Sequence, residues 1–521
     1  MNTPDDHQRA FQELAGPAYE ALRESPVRAI AIARTLVAIP PLTEADTVVL
    51  KAGILVDAGG DLGDLKVVEE GAGLLREVLT VTPARQDATY SLGNALSVLA
   101  DVRSFDGPEW YLKTGAMRRE ARALFEVVAQ SDAPADLRAR AITNRGNLLW
   151  ESHRWVEAYE CYRAAAELDP TNTVASSGAA RLLLYAAEKG LGPATTLTGL
   201  ARGYIELARR SYRDDPDLPR DLRRLIAKLP PASALVPWSP KLQNADVYTA
   251  FVARNHLALG LTLDGLEPSL RRWDNLMVDS ISKDFEVRLD EGDSGVPTLF
   301  AMFNLLKADF LSARYVVHLA LNDPPQETAQ YADTLDYARY GVKTGLLLLG
   351  QRAAIDILDK VAVAVTEYLK LPGNSDSIQF TRRWLRPDKK SGKPAVPLAW
   401  QREVAAEIGA GNVYLIALAE LAEDIARGGA LATHQQSRSL ATHGFVVMHD
   451  ERVEPSAKSP HVTHRDLAEC EEQAIRSLRV ARAAIIYLEM VIRTHESNRP
   501  SRRFVVPMVV PNHHYIRGEE D

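Results

Sequence analysis

Thirty-two residues, AITNRGNLLWESHRWVEAYECYRAAAELDPTN at 141–172, constrain this chain more than any other stretch, because they read as two short amphipathic helices that must cross closely. Gly146 stands where one helix approaches the other, Ala158 lies at the close crossing, Tyr162 and Ala165 extend that face, and Pro170 stops the second helix. Neither helix can hide its apolar stripe alone, so the unit demands stacked neighbours. Weaker copies precede it: TVVLKAGILVDAGG followed by VVEEGAGLLREVL, then ATYSLGNALSVLADV followed by REARALFEVVAQ. Gly53, Gly93 and Gly146 serve as register marks at intervals of 40 and 53 residues. Both exceed the ideal of about 34, so inserted loops are expected at 59–64 and 104–115. A further helix is expected from near Thr173, with Gly178 at the equivalent place.

The 141–172 unit resembles a tetratricopeptide repeat. That resemblance implies a helical solenoid over residues 1–230 whose concave face binds a protein or peptide partner, or the carboxy-terminal half. No residue in it carries catalytic chemistry. Pro230, Pro231, Pro237 and Pro240 break helical continuity within 228–246 and mark the expected boundary. The second domain then spans 231–521.

Aromatics make up 7% of the chain and charged residues 25%, a balance that favours Ala/Leu/Arg/Glu-rich helices and an all-α fold. Amphipathic segments at 298–321, 334–371, 400–428 and 467–495 have apolar positions three and four residues apart, as a helical bundle requires. A net charge of −8 argues against coating nucleic acid non-specifically, though a local basic site remains open. Cys161 and Cys470 lie far apart without metal-ligand spacing, which suits a reducing cytoplasm, the expected location. The start, MNTPDDHQRAFQEL, lacks a signal-peptide pattern, and apolar runs such as 345–350 fall short of a bilayer span, so no membrane partner is expected.

The strongest chemical signal is RSLATHGFVVMHD at 438–450, where Arg438 and His443 stand five positions apart. A guanidinium offers a planar fork for a phosphate oxygen, and an imidazole can take a proton from a ribose 2′-hydroxyl near neutral pH, so the pair is suited to cutting RNA without a metal. Residues five apart on an ideal helix point about 140° away from each other. Convergence therefore needs a local break, which Gly444 favours, or a second protomer.

Together with 303–322, 353–371 and 378–385, this segment makes the stretch 240–495 resemble a HEPN domain of the bacterial kind joined to tetratricopeptide repeats. Active members of that superfamily are RNases in which arginine and histidine from each of two protomers face one another. The resemblance implies that Arg438 holds the scissile phosphate and that His443 acts as general base or orients the 2′-hydroxyl. It also implies a homodimer, 2′,3′-cyclic phosphate ends, no cofactor, and a role in phage defence or as a growth-arresting toxin. Ser439 stands where many active relatives place Asn, Asp or His, and its hydroxyl retains hydrogen-bonding capacity.

Other residues compete or support. Arg427 and His434 form a second arginine–histidine pair, although Gly428 and Gly429 read as the end of the preceding helix with Arg427 in its last turn. His449 is a possible second proton carrier or a helix-end cap. Lys307, Asp309, Arg314 and His318 share one helix and read as support for the site or as ion pairs. Arg499, Arg502 and Arg503 would steer RNA, or be solvated on a packed arm. His461, His464, His513 and His514 lack cysteine partners and an HExxH frame, so they read as loop residues with no metal. No phosphate-binding glycine motif is visible. The alternative to the nuclease is a non-catalytic scaffold whose bundle dimerises or binds nucleotide or protein.

Overall fold

A computed structural model describes residues 4–102, 107–191, 194–212, 219–229, 246–260, 274–278, 280–282, 296–387, 397–426, 428–434, 436, 444–450 and 459–499. The fold is all-α with one small sheet, a solenoid of helix pairs running into a helical bundle. None of the described helices is long and apolar enough to cross a membrane.

The first half comprises α1 (Pro4–Glu24), α2 (Pro26–Thr35), α3 (Glu44–Leu62), α4 (Leu65–Val81), α5 (Gln86–Val102), α6 (Pro108–Ala129), α7 (Ala135–Glu151), α8 (Trp155–Leu168), α9 (Thr173–Glu188), α10 (Ala194–Arg210) and α11 (Arg220–Lys228). From α1 to α10 each helix packs on the next, the arrangement that lets pairs share buried faces. Starts are encoded locally: Thr43 and Asp46 form a reciprocal capping box at α3, and the Asn172 side chain accepts from Ala175 N–H at α9.

Three of the four expected glycine crossings are present. A β-carbon on Gly93 would lie 2.7 Å from the Phe125 ring, and on Gly146 or Gly178 it would press on the Tyr162 ring from either side, at 3.0 and 2.8 Å. Gly53 is not a crossing, because nothing lies within 4 Å of its β-carbon position; Gly71, packed on the Ala52 carbonyl, takes that role. Of the two expected loops, residues 104–106 lie outside the described residues and most of the rest is helical. Residues 59–62 finish α3 before the left-handed Gly63, and 108–115 open α6 with Pro108 at its first turn. Longer helices absorb the difference.

The second half contains α12 (Val247–Arg254), α13 (Thr298–Asn322), α14 (Val342–Tyr368), α15 (Arg402–Gly409), α16 (Tyr414–Ile425) and α17 (Leu467–Asn498). Helices α13, α14 and α17 pack together, with α16 against α17 and α6. Two of the expected segments are shorter than their periodicity suggests. The 334–371 segment becomes helical only at Val342, since Leu335 and Tyr337 have positive φ; the 400–428 segment breaks at Gly411, φ 94°.

Three strands, β1 (Ala338–Arg339), β2 (Phe445–His449) and β3 (Val462–Asp466), form a sheet in that order. Strand β2 is antiparallel to β1 and parallel to β3.

One hydrophobic core runs without interruption from Trp110 and Trp155 in the repeats to Leu478 and Ile492 in α17. Trp155 Nε1 lies 2.9 Å from Met490 Sδ, and the Tyr185 and Tyr414 hydroxyls are 2.7 Å apart. The two halves share an interior.

Candidate functional site

Arg438, Ser439 and His443 lie outside the described residues, as do Arg427, Arg502, Arg503, His513 and His514. The described flanks of the 437–443 stretch are firmly held. On the amino-terminal side His434, 2% exposed, places Nδ1 2.7 Å from Ser477 Oγ on α17. That hydroxyl donates to the Gln473 carbonyl, so the imidazole N–H donates to Ser477 and Nε2 carries the lone pair. Burial, reinforced by Arg476 and Arg465, pushes the His434 pKa down to about 3, leaving the ring neutral. Enclosed in this way, His434 supports the fold and does not face solvent. Helix α16 ends at Ile425, capped by Ala426 and so earlier than the sequence suggests; the left-handed Gly428 (φ 86°) lies two residues beyond the cap, and Leu431 N–H closes back on the Asp424 carbonyl.

On the carboxy-terminal side the chain enters β2 at Phe445, where helix was the expectation for the segment carrying His449. The run FVVMH is β-branched and apolar, and its two neighbours supply hydrogen-bond partners that a helix would have drawn from itself. His449 caps no helix: it is the last residue of β2, 2% exposed, with Nδ1 2.9 Å from the Asp336 carbonyl and Nε2 2.8 Å from His464 Nδ1. His464 is in β3 and not in a loop. Beside them, Asp450 pairs with Arg339 of β1.

The proposed supporting residues on α13 are tied elsewhere. Arg314, 2% exposed, grips Asp274 with both terminal nitrogens at 2.9 and 2.6 Å and donates to the Leu257 carbonyl. Lys307 Nζ donates to the Leu276 carbonyl at 2.7 Å, burial lowering its pKa. Asp309 pairs with Lys360 at 2.6 Å, and His318 packs on Tyr248 and Phe251. These contacts fasten 246–260, 274–278 and α14 to α13. Arg499 closes α17, donating to the Ser282 carbonyl and pairing with Glu496.

A second polar centre went unnoticed in the sequence. Helix α16 carries Glu420, Glu423 and Asp424 in an otherwise apolar run, and four arginines of the repeats meet them. Arg122 donates to Asp424 at 2.8 and 3.0 Å and to Glu420 at 2.8 Å; Arg154 pairs with Asp424 at 2.5 Å, Arg119 with Glu423, and Arg118 lies 3.8 Å from Glu420. Three acids within five residues of a buried helix were the available signal. Burial would raise the Asp424 carboxyl, but Arg122 and Arg154 overturn that and hold it at about 2.

Fold and flanks together define an all-α solenoid joined to a helical bundle; in sequence, Arg438 and His443 follow the buried His434 and precede β2. Residues 291–495 match the family model of the LA2681-like HEPN domain, which supports the HEPN reading of the bundle. The match takes in α13, α14, α16, α17, β2, β3 and the whole 437–443 stretch. No curated protein matches the chain.

Proposed function

We propose that the chain is a HEPN-type endoribonuclease in which Arg438 binds the scissile phosphate and His443 activates or orients the ribose 2′-hydroxyl, without a metal in the chemical step. The observation that carries this reading is the family match over 291–495, which encloses a segment offering both groups that 2′-hydroxyl attack requires. Two protomers bring their pairs together across a dimer. The repeats, of tetratricopeptide kind, regulate activity through a protein or peptide partner, and the setting is phage defence or growth arrest.

Because the nucleophile belongs to the RNA, the products carry 2′,3′-cyclic phosphate and 5′-hydroxyl ends. Incubating the purified full chain with total RNA, in chelator and with its trigger where one is known, and mapping the ends tests this. Ends of 3′-hydroxyl and 5′-phosphate type would overturn it. The competing reading, a scaffold that binds without turning anything over, draws on the shared interior of repeats and bundle, and predicts RNA left intact in the same assay.

A further inference from the structure

The three-stranded sheet gathers side chains that neither the fold nor the proposed RNA chemistry uses. Asp336 comes from the turn before β1, His449 from the end of β2 and His464 from β3, and one ligand atom of each lies within 4.8 Å of the others. Register explains the convergence. His464 sits opposite Val447, two residues before His449, and His449 sits opposite Ala338, two residues after Asp336. Side chains two apart along a strand share a face, so His449 and His464 fall on one side of the sheet, and Asp336 reaches them from the turn before β1.

The geometry points to a divalent transition-metal site of the zinc class, formed by His449 Nε2, His464 Nδ1 and a carboxylate oxygen of Asp336. Two imidazoles with one carboxylate suit zinc and its neighbours, whereas magnesium and calcium prefer an all-oxygen shell. The outer partners are already in place. His449 Nδ1 donates to the Asp336 carbonyl, the second hydrogen bond that fixes a ligating histidine's tautomer, and the Asp336 carboxylate is held by the Thr334 hydroxyl and Ala338 N–H. The facing nitrogens of His449 and His464 stand 2.8 Å apart with their rings 28° from parallel. Tetrahedral ligands about 2.0–2.1 Å from zinc are roughly 3.3 Å from one another, so an ion in place of the shared proton needs an opening of only about half an ångström.

The ion's consequence is structural. Strand β1 has two residues, and the turn before it carries Leu335 and Tyr337 at φ 57° and 58°, on either side of Asp336. An ion held by Asp336, His449 and His464 fastens this turn to the end of β2, six residues after His443, and to β3. The site does not depend on the nuclease reading.

The test is titration of the chelator-stripped full chain with zinc chloride by calorimetry, and with cobalt(II) chloride by visible absorption, in wild type, His464→Gln and Asp336→Asn. The two substituted residues are partly exposed, so the fold should persist, which circular dichroism checks. Wild type should bind one ion per chain and melt at higher temperature with it. His464→Gln should weaken binding by more than the roughly 10–100-fold that outer-shell changes cost, and the cobalt bands of wild type should be altered or lost in both variants. A folded wild type that binds no stoichiometric ion, or variants that bind it as tightly as wild type, would overturn the site. RNA cleavage plays no part in this readout.

Discussion

Arg122 of α6 and Asp424 of α16 form a forked ion pair, with Nε 3.0 Å from both carboxylate oxygens and Nη2 2.8 Å from one, fully enclosed between repeat and bundle. Removing one member strands the other charge in the interior, which costs about 3–5 kcal/mol. Arg122→Ala and Asp424→Ala should each lower the unfolding free energy, read from urea denaturation, by that amount. The double replacement Arg122→Met with Asp424→Leu should recover most of it, since paired apolar residues of similar volume are often tolerated where half a pair is not. A loss in the double variant equal to the sum of the two single losses would show that the pair is not coupled.

The same pair sets an acid limit. Asp424 titrates at about 2 in the fold against an ordinary value of 3.8, so the unfolded chain takes up the proton first as pH falls. Its contribution is complete above pH 3.8 and is lost as pH drops through 2; the shift corresponds to about 2 kcal/mol. Urea unfolding of wild type and Asp424→Asn between pH 5 and about 2 should show the wild-type advantage shrinking across that window.

His434 works over a higher range. A histidine held neutral to about pH 3 but ordinarily titrating at 6.5 gives stability that is fully present above 6.5 and lost progressively from there down to 3. Asn at 434 can keep the bond to Ser477 while removing the titration. His434→Asn should therefore flatten stability against pH between 6.5 and 3 while costing some of it at neutral pH. An unchanged slope would mean the ring is reached by protons in the folded chain.

Glycines separate positions that look alike in sequence. Gly93→Ala drives a methyl into the Phe125 ring and should destabilise by about 1–3 kcal/mol, the usual cost of overpacking. Gly53→Ala meets open space within α3 and should stabilise by about 0.5–1 kcal/mol through helix propensity. Thermal melts of the two variants should move in opposite directions.

What the sequence disclosed follows from the range of the forces involved. Helices α7, α8, α13 and α17 were legible because three- and four-residue periodicity is local. The sheet was not: β1 is two residues long, and its pairing with Met448 and His449 spans more than a hundred positions. His464 looked like a lone loop histidine because its partners arrive from distant stretches, His449 through strand register and Asp336 from a turn. The acids of α16 were visible, but Arg122 is some three hundred residues away.

Arg438 and His443 should behave as a chemical unit. Arg438→Ala and His443→Ala should each reduce cleavage by roughly 10²–10⁴-fold, the range a positioned acid–base group commands, and the double variant should be little worse than the poorer single. Melting temperatures should match wild type. Variants that cut as wild type does would remove both residues from the chemistry.

The boundary proposed at residues 230 and 231 falls within 230–245, outside the described residues, and the structure on either side bears on how separable the halves are. Trp155, Tyr159 and Leu183 share a core with Leu478, Tyr487 and Ile492, and Tyr487 reaches Glu157 of α8. A chain beginning at 231 would expose that face of α17 and leave Glu420 and Asp424 without Arg122, Arg118 and Arg154. Residues 231–521 expressed alone should aggregate or bind a hydrophobic dye, and the full chain should unfold through its core in one transition common to tryptophan fluorescence and helical circular dichroism. A soluble, cooperatively melting 231–521 fragment would instead mean that the repeats sit on a bundle already complete without them.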